Sequence, residues 1–229
     1  MAYRTILVEL AGDGGLEPRL KVARALASRF GAALIGLHVM PPPFIPGAYG
    51  EAAAYLGPDL IEAQRAANQE TGERVKAAFR NLCGEAPIWQ EAEGARGDLL
   101  AAAAYTADLV IASRANLEST DAPDVLDQLV TAAGVPVLAL PPEVSGDLAQ
   151  TVLVAWNGSR EATRAAHDAL PFLHVARRVI LCAVGAAAAN SLDAAAAMLQ
   201  RHGLAVHPRQ VDQPDGDAGE TLLAQAGAE

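Results

Sequence analysis

Thr5-Ile6-Leu7-Val8 is answered 146 residues later by Thr151-Val152-Leu153-Val154, and this repeat limits the possible folds more than any other feature of the chain. At the same offset Gly12 meets Gly158, and Leu34-Ile35 meets Ile180-Leu181. Gly97-Asp98-Leu99-Leu100 is echoed at shorter spacing by Gly219-Glu220-Thr221-Leu222-Leu223. A period this long holds several secondary-structure elements per copy, which indicates a tandem domain pair rather than a solenoid. Nothing in the second copy answers Asp108 through Leu140, so that copy is expected to be incomplete. The expected layout is a complete domain over 1–141, a proline-stiffened linker over 142–150, and a partial domain over 151–229 lacking its fourth and fifth strands.

Within the first copy, short β-branched and apolar runs alternate with helical periodicity. Strands are predicted at 5–9, 33–39, 88–91, 109–113 and 135–140. Helices are predicted from Pro18 to Phe30, 59–82, 98–106 and 124–133, with Gly31 and Gly84 as stops. The second copy gives strand 151–155, helix 160–175, strand 179–184, helix 191–202, strand 205–211 and helix 218–226. This βαβ alternation predicts an α/β chain with doubly wound parallel sheets, because right-handed crossovers must cover both sheet faces. The wholly apolar runs Leu109-Val110-Ile111-Ala112 and Val137-Leu138-Ala139-Leu140 fit strands buried on both sides.

The charge pattern excludes several function classes. A net charge of −10 repels nucleic acid and anionic lipid, so neither partner is expected. No apolar run is long enough to span a membrane. The N-terminus enters a strand without a charged region followed by an apolar one, so no signal peptide is expected. The two cysteines, Cys83 and Cys182, lie far apart and suit a reducing compartment. The expected location is the cytoplasm.

Three segments resemble the universal stress protein family, in particular its tandem two-domain bacterial members. They are the opening Thr-Ile-Leu-Val strand, the phrase Val154-Ala155-Trp156-Asn157-Gly158-Ser159-Arg160-Glu161-Ala162, and the pair Ala107-Asp108-Leu109-Val110-Ile111 and Gly134-Val135-Pro136-Val137-Leu138. The resemblance implies a strand order of 3-2-1-4-5, with any nucleotide over the carboxyl ends of strands one and four. The candidate ligand-binding residues on this reading are Glu9, Ala11, Val39, Ser113, Arg114, Trp156, Asn157 and Ser159. The resemblance also implies homodimerisation through the fifth strand, and the incomplete second copy offers an alternative interface at the exposed strand edge near Thr151.

Nucleotide-binding members carry a Gly-x2-Gly-x9-Gly-Ser/Thr run after the fourth strand, where backbone amides hold phosphate. Here Ser113-Arg114-Ala115-Asn116-Leu117-Glu118-Ser119-Thr120-Asp121 follows instead. It has no glycine, and it sets Glu118, Asp121 and Asp124 where phosphates would lie, so like charges oppose a triphosphate. ATP and AMP are therefore disfavoured, and no cofactor is expected. Gly12-Asp13-Gly14-Gly15 reads either as a phosphate loop, as in adenylating enzymes of related fold, or as a plain turn, which the missing serines favour.

Trp156 reads either as a stacking platform or as packing under the linker or between domains. Ser159 reads as a helix cap after an Asn157-Gly158 turn. The five histidines form no metal constellation: His167 and His174 are seven apart on one predicted helix, too far to chelate directly. The segment from Met40 to Gly57 carries Phe44, Tyr49 and Tyr55 and reads as a lid over a small-molecule pocket or an insertion into a partner subunit, or equally as a surface excursion. The sequence thus points to a non-catalytic stress-type binding or interaction module, with no catalytic residue and no metal site. The alternative is an adenine-nucleotide-binding stress protein or a nucleotide-dependent enzyme of related fold.

Overall fold

A computed structural model describes residues 2–44, 53–114, 125–144, 148–212 and 217–228. The chain separates into two compact units, Ala2–Ser145 and Gly146–Glu229.

In the first unit, strands β1 (Thr5–Glu9), β2 (Ala33–Met40), β3 (Ile88–Glu93), β4 (Leu109–Ser113) and β5 (Val137–Leu140) form one sheet in the order β3-β2-β1-β4-β5. All pairs are parallel, with Leu7 opposite Ile35 on one side and Val110 on the other. The 3-2-1-4-5 order that the resemblance implies is the order found. Helices α1 (Leu16–Phe30), α2 (Ala53–Cys83), α3 (Arg96–Ala104) and α4 (Val125–Ala132) make the crossovers.

Side-chain alternation along β1 decides what the site contains. Leu7 points to the α3–α4 side, into a core with Leu37, Leu100, Ala104, Val110 and Leu129. Glu9, two residues on, faces the same way at the strand's carboxyl end and is 2% exposed. At the opposite end of the sheet, Asp108 Oδ2 accepts from the backbone N–H groups of Arg4 and Thr5, both at 2.8 Å. That contact fixes β1 against β4 and sets the register that brings Glu9 beside Ser113.

Helix α2 begins at Ala53, six residues before the predicted start at Asp59, and carries Pro58 inside it. Pro58 is the sixth residue of α2, beyond the four N–H groups that have no intrahelical partner, so it costs the helix one i→i−4 hydrogen bond near its start. The predicted third strand, 88–91, extends to Glu93.

In the second unit, β6 (Thr151–Trp156), β7 (Arg178–Val184) and β8 (Val206–Val211) form a parallel sheet in the order β6-β7-β8. Strand β6 is thus an edge of that sheet among the described residues, and β8, the other edge, contains Pro208, a residue confined to edges because it cannot donate. The predicted helix 160–175 is two helices, α5 (Arg160–Asp168) and α6 (Leu170–Val175), separated at Ala169 before Pro171. Similarly, 191–202 is preceded by a short α7 (Ala186–Ala189), and α8 covers Leu192–Arg201. Helix α9 (Ala218–Gly227) ends the described elements.

The two βαβ starts correspond, with one correction. Leu7 pairs with Ile35, and Leu153, 146 residues after Leu7, pairs with Ile180. The second strands are therefore offset by 145 residues, not 146, because the connection through α5 and α6 is one residue shorter than that through α1.

Candidate functional site

The order β3-β2-β1-β4-β5 places a topological switch point between β1 and β4, where the chain leaves in opposite directions. Open α/β sheets usually build their ligand sites in the crevice outside the carboxyl ends of such strands. Here that crevice is the end of β1 at Glu9 and the end of β4 at Ser113.

Paired residues between the two strands end at Val8 and Ile111. The Val110 and Arg114 N–H groups both bond towards β5, to Pro136 O and Leu140 O, so by alternation the Ser113 N–H points towards β1, beyond the last paired residue. Glu9 supplies the missing acceptor: its Oε2 takes the Ser113 N–H at 2.7 Å. Its Oε1 forms an ion pair with Arg96 at the start of α3. The Arg96 side chain is 38% exposed, whereas that of Glu9 is 3% exposed, so the pair runs from solvent into the sheet end. Beyond this ion pair, Glu9 Oε1 accepts no hydrogen bond among the described residues.

The loop after β1 is held from the other face. Arg19, on the buried side of α1, is 2% exposed. Its Nε donates to Glu9 O at 2.8 Å, and its Nη2 to Ala11 O at 3.3 Å. Nη2 also pairs with Asp13 Oδ1 at 3.2 Å. Asp13 Oδ1 in turn accepts the Gly15 N–H at 3.0 Å. Asp13 thus holds the Gly15 N–H and pairs with Arg19, contacts that fit the plain-turn reading of Gly12–Gly15. Gly12 has a packing reason as well: a Cβ there would lie 2.7 Å from Thr71 Cγ2 of α2. A phosphate has no role in explaining that glycine.

The remaining candidates divide by unit. Ala11 is half-buried, Val39 packs at the margin of the α3–α4 core, and the exposed Arg114 is tied to β5 through its backbone. Glu118, Asp121 and Asp124, expected to oppose phosphate, lie outside the described residues, as do Tyr49 and the rest of 45–52 in the segment after Met40. Phe44 is described and 68% exposed, with its backbone N–H and C=O bonded to the Gln64 side chain.

Trp156 is 9% exposed and belongs to the second unit's own core, with Val154, Ala166, Leu173, Leu181 and Leu192. This corrects the expectation that it packs under the linker or between domains. Its indole N–H is taken by Ser191 Oγ at 2.9 Å, so neither its face nor its donor is presented as a ligand platform. The Asn157 side chain accepts the Ser159 N–H at 3.0 Å, and Gly158 has a φ of 75°. Ser159 then caps α5 by accepting the Ala162 N–H at 3.1 Å. Trp156, Asn157 and Ser159 thus build a strand-to-helix turn. They lie in a different unit from Glu9, Ala11, Val39, Ser113 and Arg114.

Sequence reasoning missed Arg96 and Arg19. Arg19 left a legible signal: a cation between Leu16 and Leu20–Ala23 on the apolar stripe of α1. Arg96 left none, since it sits at a helix start among small and polar residues. It also missed His38, which is 3% exposed, bonds Leu10 O through Nδ1 at 2.7 Å and stacks on Trp89 at 5.9 Å. His167 and His202, distant in sequence, meet edge-to-face at 6.0 Å. Among the described residues, no group of three or more His, Cys, Asp or Glu side chains could hold a metal ion. Burial pushes the Cys83 and Cys182 thiols up, opposed in part by Arg24 and Arg209, so neither is activated as a nucleophile. No described helix is long and apolar enough to cross a membrane.

No family model matches the chain, and no curated protein matches it. Among solved structures, a universal stress protein from Archaeoglobus fulgidus DSM 4304 aligns over 98% of this chain and 81% of its own, with a TM-score of 0.67 and 14% identity. The chain has the fold of a universal stress protein. UspA from Lactobacillus plantarum aligns over 61% of this chain and 99% of its own, with a TM-score of 0.47 and 16% identity. A universal stress protein in complex with cAMP aligns over 62% of this chain and 100% of its own, with a TM-score of 0.39 and 22% identity. In this universal-stress-type fold, the end of β1 and the end of β4 are joined by the Glu9 carboxylate.

Proposed function

We propose that this chain is a universal-stress-type binding or interaction module, without catalytic activity of its own, whose β1–β4 crevice does not take ATP. The observation that carries the reading is Glu9: a carboxylate already holds the Ser113 N–H and the Arg96 guanidinium at the switch point. A nucleotide phosphate there would meet a like charge in a poorly solvated setting and find its donors in use. The Asp13 carboxylate in the Gly12–Gly15 loop, which holds the Gly15 N–H and pairs with Arg19, supports the same conclusion.

A thermal-shift screen with ATP, ADP, AMP and cyclic nucleotides tests it, because a ligand that binds the native state must raise the melting temperature. The expected result is no shift beyond that of salt at matched ionic strength. A saturable rise with any of them would sink the reading and favour an adenine-nucleotide-binding stress protein.

The module reading includes self-association as a homodimer in the cytoplasm, through β5 or the β6 edge. Support comes from β6, whose Val152 and Leu153 are only half-buried at the edge of their sheet, where unpaired backbone groups template another strand. Sedimentation velocity should show a dimer at micromolar concentration. A monodisperse monomer up to high micromolar concentration would count against it.

A further inference from the structure

We propose that the crevice at the carboxyl ends of β1 and β4 is an anion-binding site whose resident anion is the chain's own Glu9 side chain. Removing that side chain should leave a site for a free small carboxylate or phosphate. The proposal rests on the preceding reading in that both place Glu9 in the crevice that a ligand's anionic group would otherwise enter.

The donor set is built for negative charge. One donor is a backbone N–H beyond the end of the β1–β4 ladder, at 2.7 Å from Glu9 Oε2. The other is the Arg96 guanidinium on Oε1. Neither can accept, so a cation or a neutral donor would gain nothing there. Guanidinium and backbone N–H together form the charge-assisted pairing that carboxylates and phosphates favour. The occupant is 2% exposed, while Arg96 is 38% exposed and so gives the site a solvent-facing side.

Glu9 meets both donors at once, Oε2 on the Ser113 N–H and Oε1 on the Arg96 guanidinium. An untethered carboxylate in the same place can meet the same two donors. Glu9 therefore decides which charge the crevice admits: with it present, incoming anions are repelled, and without it the same two donors attract them.

The test uses the full-length chain as wild type, Glu9→Ala, and the double variant Glu9→Ala with Arg96→Ala. Melting is followed in sodium acetate and sodium phosphate, with sodium chloride at matched ionic strength as the reference. Glu9→Ala should be stabilised by acetate or phosphate well beyond chloride. At a free anion concentration ten times its dissociation constant, the folding equilibrium constant should rise about elevenfold. Wild type and the double variant should follow the chloride curve.

If Glu9→Ala does not fold in dilute buffer, the recovery of soluble protein on refolding with and without acetate gives the same readout. Glu9→Ser, whose hydroxyl keeps some polarity in the crevice, provides a second variant. A response confined to Glu9→Ala or Glu9→Ser and lost with Arg96 supports the proposal. No response to either anion, or an equal response in wild type, overturns it. Nucleotide binding by the wild type would instead sink the module reading, and that outcome is read independently of the variants.

Discussion

Replacing Glu9 with alanine is expected to destabilise the chain by about 2 kcal/mol, seen as a lower urea midpoint at unchanged slope. The main cost is the Ser113 N–H, which loses its 2.7 Å acceptor at a buried strand end; an orphaned buried donor costs about 1–3 kcal/mol. Loss of the ion pair adds little, because Arg96 is 38% exposed and can turn to water. Relief from burying a carboxylate offsets part of the total. Glutamine should cost only about 1 kcal/mol, since its amide oxygen can still accept from Ser113. If alanine and glutamine proved equally mild, Glu9 would not be the acceptor that closes the ladder.

Arg19 is the position where substitution should do most harm. Arg19→Met is expected to cost about 3 kcal/mol, since two carbonyl acceptors lose their donor at about 1–3 kcal/mol each and relief from burying a guanidinium offsets part of that. Methionine matches the length and apolar stem of arginine but offers nothing to Glu9 O, Ala11 O and Asp13. Asp13 is 38% exposed and can be hydrated, so the larger share comes from the two carbonyls. Lysine should rescue only part of the loss, because one ammonium cannot span acceptors that a planar fork reaches together. Hydrogen exchange gives a local readout: the Gly15 amide, now bonded to Asp13, should lose protection in Arg19→Met. Near-wild-type stability with unchanged exchange would contradict this role.

Glu9 and Arg19 also show where sequence reading reached its limit. The strands were legible because each is a short apolar or β-branched run bounded by glycine, proline or polar residues, and their parallel pairing followed from the βαβ order. Helix ends were less so: a start was expected at Asp59, yet α2 begins at Ala53 and carries Pro58 as its sixth residue. Pro171 had the opposite effect and split a predicted helix in two. The repeat gave the right correspondence of β1 with β6 but slipped by one residue at β2 and β7, where similar apolar runs match in either register.

For the site, Glu9 and Ser113 were both candidates, but their contact spans 104 residues and depends on the order of β1 and β4. Their relation to each other, rather than to a ligand, is a tertiary fact. A Trp-Asn-Gly-Ser phrase leans on paper towards capping and packing, with a stacking reading beside them. Burial of Trp156 in its own unit's core and its bond to Ser191 decide for structure.

The central claim is that the β1–β4 crevice is closed to nucleotide by the chain's own carboxylate. Backbone amide resonances of Glu9, Ser113 and Arg114, followed while ATP is titrated into the isotopically labelled protein, test it most directly. These resonances are expected to stay in place through millimolar ATP, apart from changes matched by salt. Saturable movement of Ser113 and Glu9 with ATP would contradict it.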